Sequence, residues 1–147
     1  MTRLFLSIAL VFTFLVAGSF IQKTQPTQLV QIDVWEELES FHQAIALTFH
    51  PAEDGDFEPV KNDSDELVEA AKKLLISKLP AYFEKMENKE LKNELRTTFQ
   101  KLVKQSKELH NLVEQKKVTD KILLEELSNL HSTYHHIEEL NNQAQKN

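Results

Sequence analysis

The sequence predicts an all-α protein, an up-down-up-down four-helix bundle behind an N-terminal signal peptide. Three observations carry that prediction. Apolar residues recur at three- and four-residue spacing in four separate segments. Glycine is nearly absent, with only Gly18 and Gly55, and the prolines Pro26, Pro51, Pro59 and Pro80 fall at candidate boundaries. No stretch alternates apolar and polar residues for long enough to make a strand. The 147 residues suffice for one domain.

Residues 1–19 read as a secretory leader. Arg3 is the positive flank, Leu4 to Val16 is a nearly unbroken apolar run, and Ala17-Gly18-Ser19 offers small residues for cleavage near Ser19. An uncleaved anchor is the competing reading, because the run is almost long enough to span a bilayer. The expected address is the periplasm or the exterior. There is no cysteine, so disulfides, thiolate metal sites and covalent haem attachment are excluded. Loss of Arg3 with the leader leaves 16 bases against 23 acids, a net charge of −7. That balance disfavours nucleic acid and anionic membrane surfaces, so neither is an expected partner after cleavage. It suits the binding of cations.

Residues 20–30 form a polar lead containing Pro26, and the bundle is expected over 31–142. The first helix should run from about Val30 to His50. Its stripe is Val34, Leu38, Phe41, Ile45 and Thr48, flanked by Trp35, His42 and Phe49. It should stop at His50, because a residue before proline is pushed out of the α region. Pro51 to Asn62 then reads as an acidic loop. It is not an EF-hand started at Asp54, since Pro59 stands where that loop requires glycine.

The second helix should open at Asp63 or Ser64 and bury Leu67, Ala71, Leu74 and Leu75. Pro80 breaks it, and Tyr82 and Phe83 cover the turn. The third runs from Lys89 to Lys116 with Leu91, Leu95, Phe99, Leu102, Leu109 and Val113 inward, and the Lys116-Lys117 pair suits its C-terminus. Thr119 caps the fourth, whose stripe is Leu123, Leu127, Leu130, Tyr134 and Ile137. Residues 143–147 are expected to fray.

Chemistry, if any, lies with six histidines. Glu39 and His42 form a Glu-x-x-His pair sharing a helix face, with His42 turned toward the core or a seam. Di-metal carboxylate bundles use that pair twice, and here it occurs once. His131 and His135 are four apart and stack on one face, as two imidazoles chelating one ion would. In an antiparallel bundle, His42 sits about 12 Å below His50, and His131 about 16 Å below the start of the fourth helix. His131 therefore falls within about a turn of Glu39 and His42, with His135 a turn deeper, and a site from these four is geometrically feasible. On this reckoning His50 is hard to include unless the fourth helix starts higher, and it could pair with Glu53 or Asp54 instead. Without cysteine, such ligands suit zinc, copper(II), nickel or iron.

Each residue also has a plainer reading. His42 fits a core-flanking histidine bonded to a carbonyl or to Tyr134, His50 a cation at a helix C-terminus, and His131 with His135 an exposed pair. His136 should be solvated.

The pattern Phe41-His42, then Phe49-His50-Pro51-x-Glu53-x-Gly55, then Leu130-His131 and Tyr134-His135-His136-Ile137 is similar to exported, uncharacterised four-helix-bundle proteins of Bacteroidota-type bacteria. The resemblance covers most of the mature chain and implies that His42, His50, Glu53, His131 and His135 belong to one pattern. The helix arrangement also resembles cytochrome b562, in architecture alone. Neither Met1 nor Met86 is well placed as an axial ligand.

The expected function is a metal-binding or metal-sensing periplasmic bundle with ligands among Glu39, His42, His50, Glu53, His131 and His135. The alternatives are a non-covalent haem or electron-transfer bundle with bis-histidine ligation, and a chaperone-like envelope protein without metal. A homodimer or an envelope protein partner fits any of these. An enzyme is not expected, since no Gly-x-Ser-x-Gly elbow, HExxH or phosphate loop occurs.

Overall fold

The computed structural model describes residues 35–115 and 118–146. The leader, the polar lead, Val34, the Lys116-Lys117 pair and Asn147 lie outside the described residues. The rest falls within one compact unit, Ile32–Asn147. Five helices make it up: α1 (Glu36–Glu53), α2 (Glu58–Ile76), the short α3 (Ala81–Lys85), α4 (Lys89–Val113) and α5 (Asp120–Gln145). The four long ones form a ring in which α1 packs on α2, α2 on α4, α4 on α5, and α5 returns to α1. This is the four-helix bundle that the periodicity predicts. No strand occurs among the described residues, and no helix there is long and apolar enough to cross a membrane.

The predicted stripes are the buried faces over most of their length; Leu75 and Val113, expected inward, are only partly buried because they lie near the ends of their helices. Leu38, Phe41, Ile45, Thr48 and Phe49 of α1 meet Leu67, Ala71 and Leu74 of α2. Leu91, Leu95, Phe99, Leu102 and Leu109 of α4 and Leu123, Leu127, Leu130, Tyr134 and Ile137 of α5 complete the core. Each fully buried aliphatic or aromatic side chain contributes about 1.5–3 kcal/mol. With no disulfide among them, this packing is what holds the bundle. One end is closed by Trp35, which packs edge-on to Phe83 at 5.7 Å and to Phe99 at 5.6 Å.

Helix ends differ from expectation where proline was taken as a stop. α1 does not end at His50 but continues through Pro51 to Glu53. Two features make that extension stable. Ala52 is buried in the core. The Pro51 carbonyl accepts from the Asp54 and Asp56 amides at 3.1 and 2.9 Å, a closure allowed by Gly55 at φ 89°. The expected twelve-residue loop shrinks to 54–57, because α2 opens at Glu58, five residues before Asp63. Pro59 sits in its first turn, where a missing N–H costs nothing.

The later ends follow local chemistry more closely. Asn88 caps α4 by accepting the Leu91 amide at 3.0 Å, and Thr119 caps α5 by accepting that of Ile122 at 3.4 Å. The tail expected to fray from 143 is helical through Gln145. Ala144 is only 3% exposed, and Tyr82 donates to Asn141 Oδ1 at 2.5 Å from below.

Candidate functional site

The α1–α5 seam carries the rings. Along α5, His131, Tyr134, His135 and Glu138 follow i, i+3, i+4, i+7 spacing and so share one flank. Along α1, His42 and Phe49 lie two turns apart on the flank that meets them, with His50 next to Phe49. The backbones of α1 and α5 approach each other less closely than those of the other neighbouring pairs in the ring, and aromatic rings of the two helices meet across this seam.

His131 is the centre of this group. Phe49 stacks on its ring at 4.4 Å and 30°. His135 meets it edge-on at 4.4 Å, and His50 edge-on at 6.0 Å. Neither ring nitrogen of His131 has a hydrogen-bond partner among the described residues. Burial lowers its pKa below the usual 6.5, and the neighbouring His135, His50 and His42 push the same way against the opposing pull of Glu53. At neutral pH it is an uncharged imidazole, the form that donates a lone pair.

The two flanking histidines are held differently. His50 Nδ1 lies 3.0 Å from Glu53 Oε2. His135 Nδ1 lies 2.7 Å from Glu138 Oε2. With the proton on Nδ1, each carboxylate accepts from its histidine and leaves Nε2 as the lone-pair nitrogen. Glu138 also accepts from the Tyr134 hydroxyl through Oε1 at 2.7 Å. Burial first, and then that bond, push the Tyr134 pKa upward, so it remains a protonated donor.

On helix heights, Glu39, His42, His131 and His135 group together and His50 is hard to include, whereas the sequence resemblance puts His50 and Glu53 with His42, His131 and His135. The structure groups them otherwise. His131 lies eleven residues into α5, about 16 Å from its start, whereas His50 is one turn from the end of α1. Their contact means that α5 begins higher than α1 ends. Asp120 there meets Lys61 of α2 at 3.2 Å. His42 instead stacks flat on Tyr134, at 5.0 Å and 9°, and Glu39 stands 3.9 Å from its Nδ1, too far for a hydrogen bond. Glu53 pairs with His50 because α1 continues past Pro51, which puts them at i, i+3 on one helix face.

The remaining histidines are partnered elsewhere. His110 Nδ1 lies 3.0 Å from Ser64 Oγ across the α2–α4 seam. His136, expected to be solvated, bridges Glu94 of α4 at 3.0 Å and Glu139 at 3.6 Å. Glu138 was not among the predicted site residues. Its signal was present, three residues after His135 and four after Tyr134.

As the side chains stand, no group of three or more His, Cys, Asp or Glu among the described residues is gathered closely enough to hold a metal ion. Compared with known protein families, curated proteins and solved structures, the chain matches none.

Proposed function

We propose that this is an exported, periplasmic bundle that binds a divalent transition-metal ion at the α1–α5 seam through His50, His131 and His135. The observation that carries the reading is the pair of carboxylate-backed histidines on either side of an unpartnered one. Metal-ligating histidines characteristically give their second ring N–H to a carboxylate, which fixes the tautomer and aims the other nitrogen. Glu53 and Glu138 stand in that relation to His50 and His135. Glu53 thus becomes an orienting partner in place of the ligand expected from sequence. Glu39 and His42, two to three turns further down α1, would flank the site without ligating.

Imidazoles on one tetrahedral ion, at metal–nitrogen distances of about 2.0–2.1 Å, place their ring centroids roughly 5 Å apart. The contacts at 4.4 and 6.0 Å bracket that spacing. Closing the site requires side-chain rotation of His50 and His135, which are 60% and 53% exposed, each turning together with its carboxylate partner. An all-nitrogen set suits zinc, copper(II) or nickel.

Calorimetric titration of the mature protein with each ion tests this. One saturable equivalent is expected, with a rise in melting temperature. An ion at a hundredfold its Kd adds about 2.7 kcal/mol of stability. His50→Ala and His131→Ala should abolish both effects. Absence of saturable binding by the unsubstituted protein would sink the reading. A Soret band after purification with haem supplied would favour the bis-histidine haem alternative.

A further inference from the structure

A cleft lies on the opposite seam, between α2 and α4, at the end of the bundle remote from the α1–α2 turn. Its origin is local. α2 stops at Ile76, and the Ser77 hydroxyl closes it by donating to the Leu74 carbonyl at 2.9 Å. Ser77 then takes an extended conformation, ψ 156°, and residues 77–80 lead away to α3. A further turn of α2 would have covered the first turns of α4. Without it, a cleft of about 590 Å³ remains, within the range of small-molecule sites.

The lining is divided by polarity. Leu75, Leu79 and Phe99 give it apolar surface, and Lys89, Lys92 and Arg96 supply three cations with no acid among the lining residues. In a chain with more acids than bases this is a local inversion of charge. The cations are not neutralised from within. Lys89, Lys92 and Arg96 form no ion pair among the described residues, although Lys92 donates to the Glu84 carbonyl at 3.3 Å. Nearby, Lys78 already takes Glu84 at 3.5 Å. The apolar surface continues outward at Ile76, between two lining residues in sequence and 82% exposed.

We propose that this cleft binds a small amphiphilic anion, a monomeric acyl chain with a carboxylate head. The chain would lie along Leu75, Leu79 and Phe99, and the head would meet Arg96 and the two lysines. A guanidinium offers a carboxylate two parallel donors, which sets the orientation. A purely apolar ligand would leave three cations facing hydrocarbon, and a bare inorganic anion would leave the apolar lining wet. The site is independent of the histidine seam and stands or falls apart from it.

Trp35 is the single tryptophan and packs 5.6 Å from the cleft residue Phe99, so its emission reports occupancy. The test is titration of the metal-free mature protein with dodecanoate below its micellar concentration, followed by Trp35 fluorescence and calorimetry. One saturable equivalent is expected. The double variant Lys92→Glu with Arg96→Glu should bind at least tenfold more weakly while keeping the helical circular dichroism and melting temperature of the parent. Uncharged dodecanol should also bind at least tenfold more weakly, and inorganic phosphate should not bind. His131→Ala should leave dodecanoate binding unchanged. No binding of dodecanoate, equal affinity for dodecanol, or indifference to charge reversal would each overturn the proposal. So would binding confined to phosphatidylglycerol vesicles, which would assign the cations to a membrane surface.

Discussion

His110 and His131 are the same residue in nearly the same setting, half-buried on the flank of an inward-facing stripe. Their surroundings separate them. His110 shares a hydrogen bond with the buried Ser64 across the α2–α4 seam. His131 has two imidazoles and a phenyl ring around it, and no hydrogen bond among the described residues. The first is a polar group made safe for a core. The second has no protein hydrogen-bond partner among the described residues, and burial lowers its pKa. Burial alone does not distinguish these two histidines; the difference lies in what their nitrogens already hold.

The sharpest way to break the contrast is to remove each histidine in turn. His131→Ala should lower metal affinity by more than a hundredfold, beyond the 10–100-fold typical of an orienting group. His110→Ala should leave affinity within twofold, as read by calorimetry. A large core truncation on the His110 side comes next. Leu109→Ala should cost about 2–5 kcal/mol in urea unfolding, yet leave the metal stoichiometry of the folded protein unchanged. The orienting carboxylates rank third. Glu53→Gln and Glu138→Gln should each weaken metal binding by about 10–100-fold, with little change in the apoprotein melt.

Smaller effects probe the two histidines without metal. Ser64→Ala leaves His110 unpartnered and should cost about 1–3 kcal/mol, measured by chemical denaturation. For pH, the sign follows from the lowered pKa of His131. The unfolded chain binds the proton more readily, so this contribution to stability is complete above the ordinary value of 6.5 and is lost as pH falls below it. The groups facing it are His42, His50 and Glu53 from α1 and His135 from α5. The metal-free protein should melt lower at pH 5.5 than at 7.5, and His131→Phe should flatten that difference.

How much of this was legible depends on which physical signal dominates at each residue. Leu38, Phe41 and Ile45, or Leu123, Leu127 and Leu130, announce their face because burial imposes the helical period directly. Pro51 misled because local propensity opposed the tertiary term. A proline at that point disfavours helix, but burial of Ala52 and the Gly55 turn outweigh it. Pro59 misled in the other direction, since its place in a first turn marks a start.

The site turned on two readings. Ending α1 at His50 left the pairing with Glu53 as one option among others, without the i, i+3 helix relation that sets it, and a level start for α5 put His131 opposite His42. Relative helix height is set by connections and packing, which periodicity does not encode. The contact between Tyr134 and Glu138 was encoded, as a four-residue spacing.

The central claim is that His131, unlike His110, belongs to a metal-binding set, and one paired titration addresses it directly. Nickel is added to the parent protein, to His131→Ala and to His110→Ala at pH 7.5, with heat and stoichiometry recorded. The account predicts one saturable equivalent for the parent and for His110→Ala, and none for His131→Ala. Equal binding by all three proteins, or loss in His110→Ala alone, would contradict it.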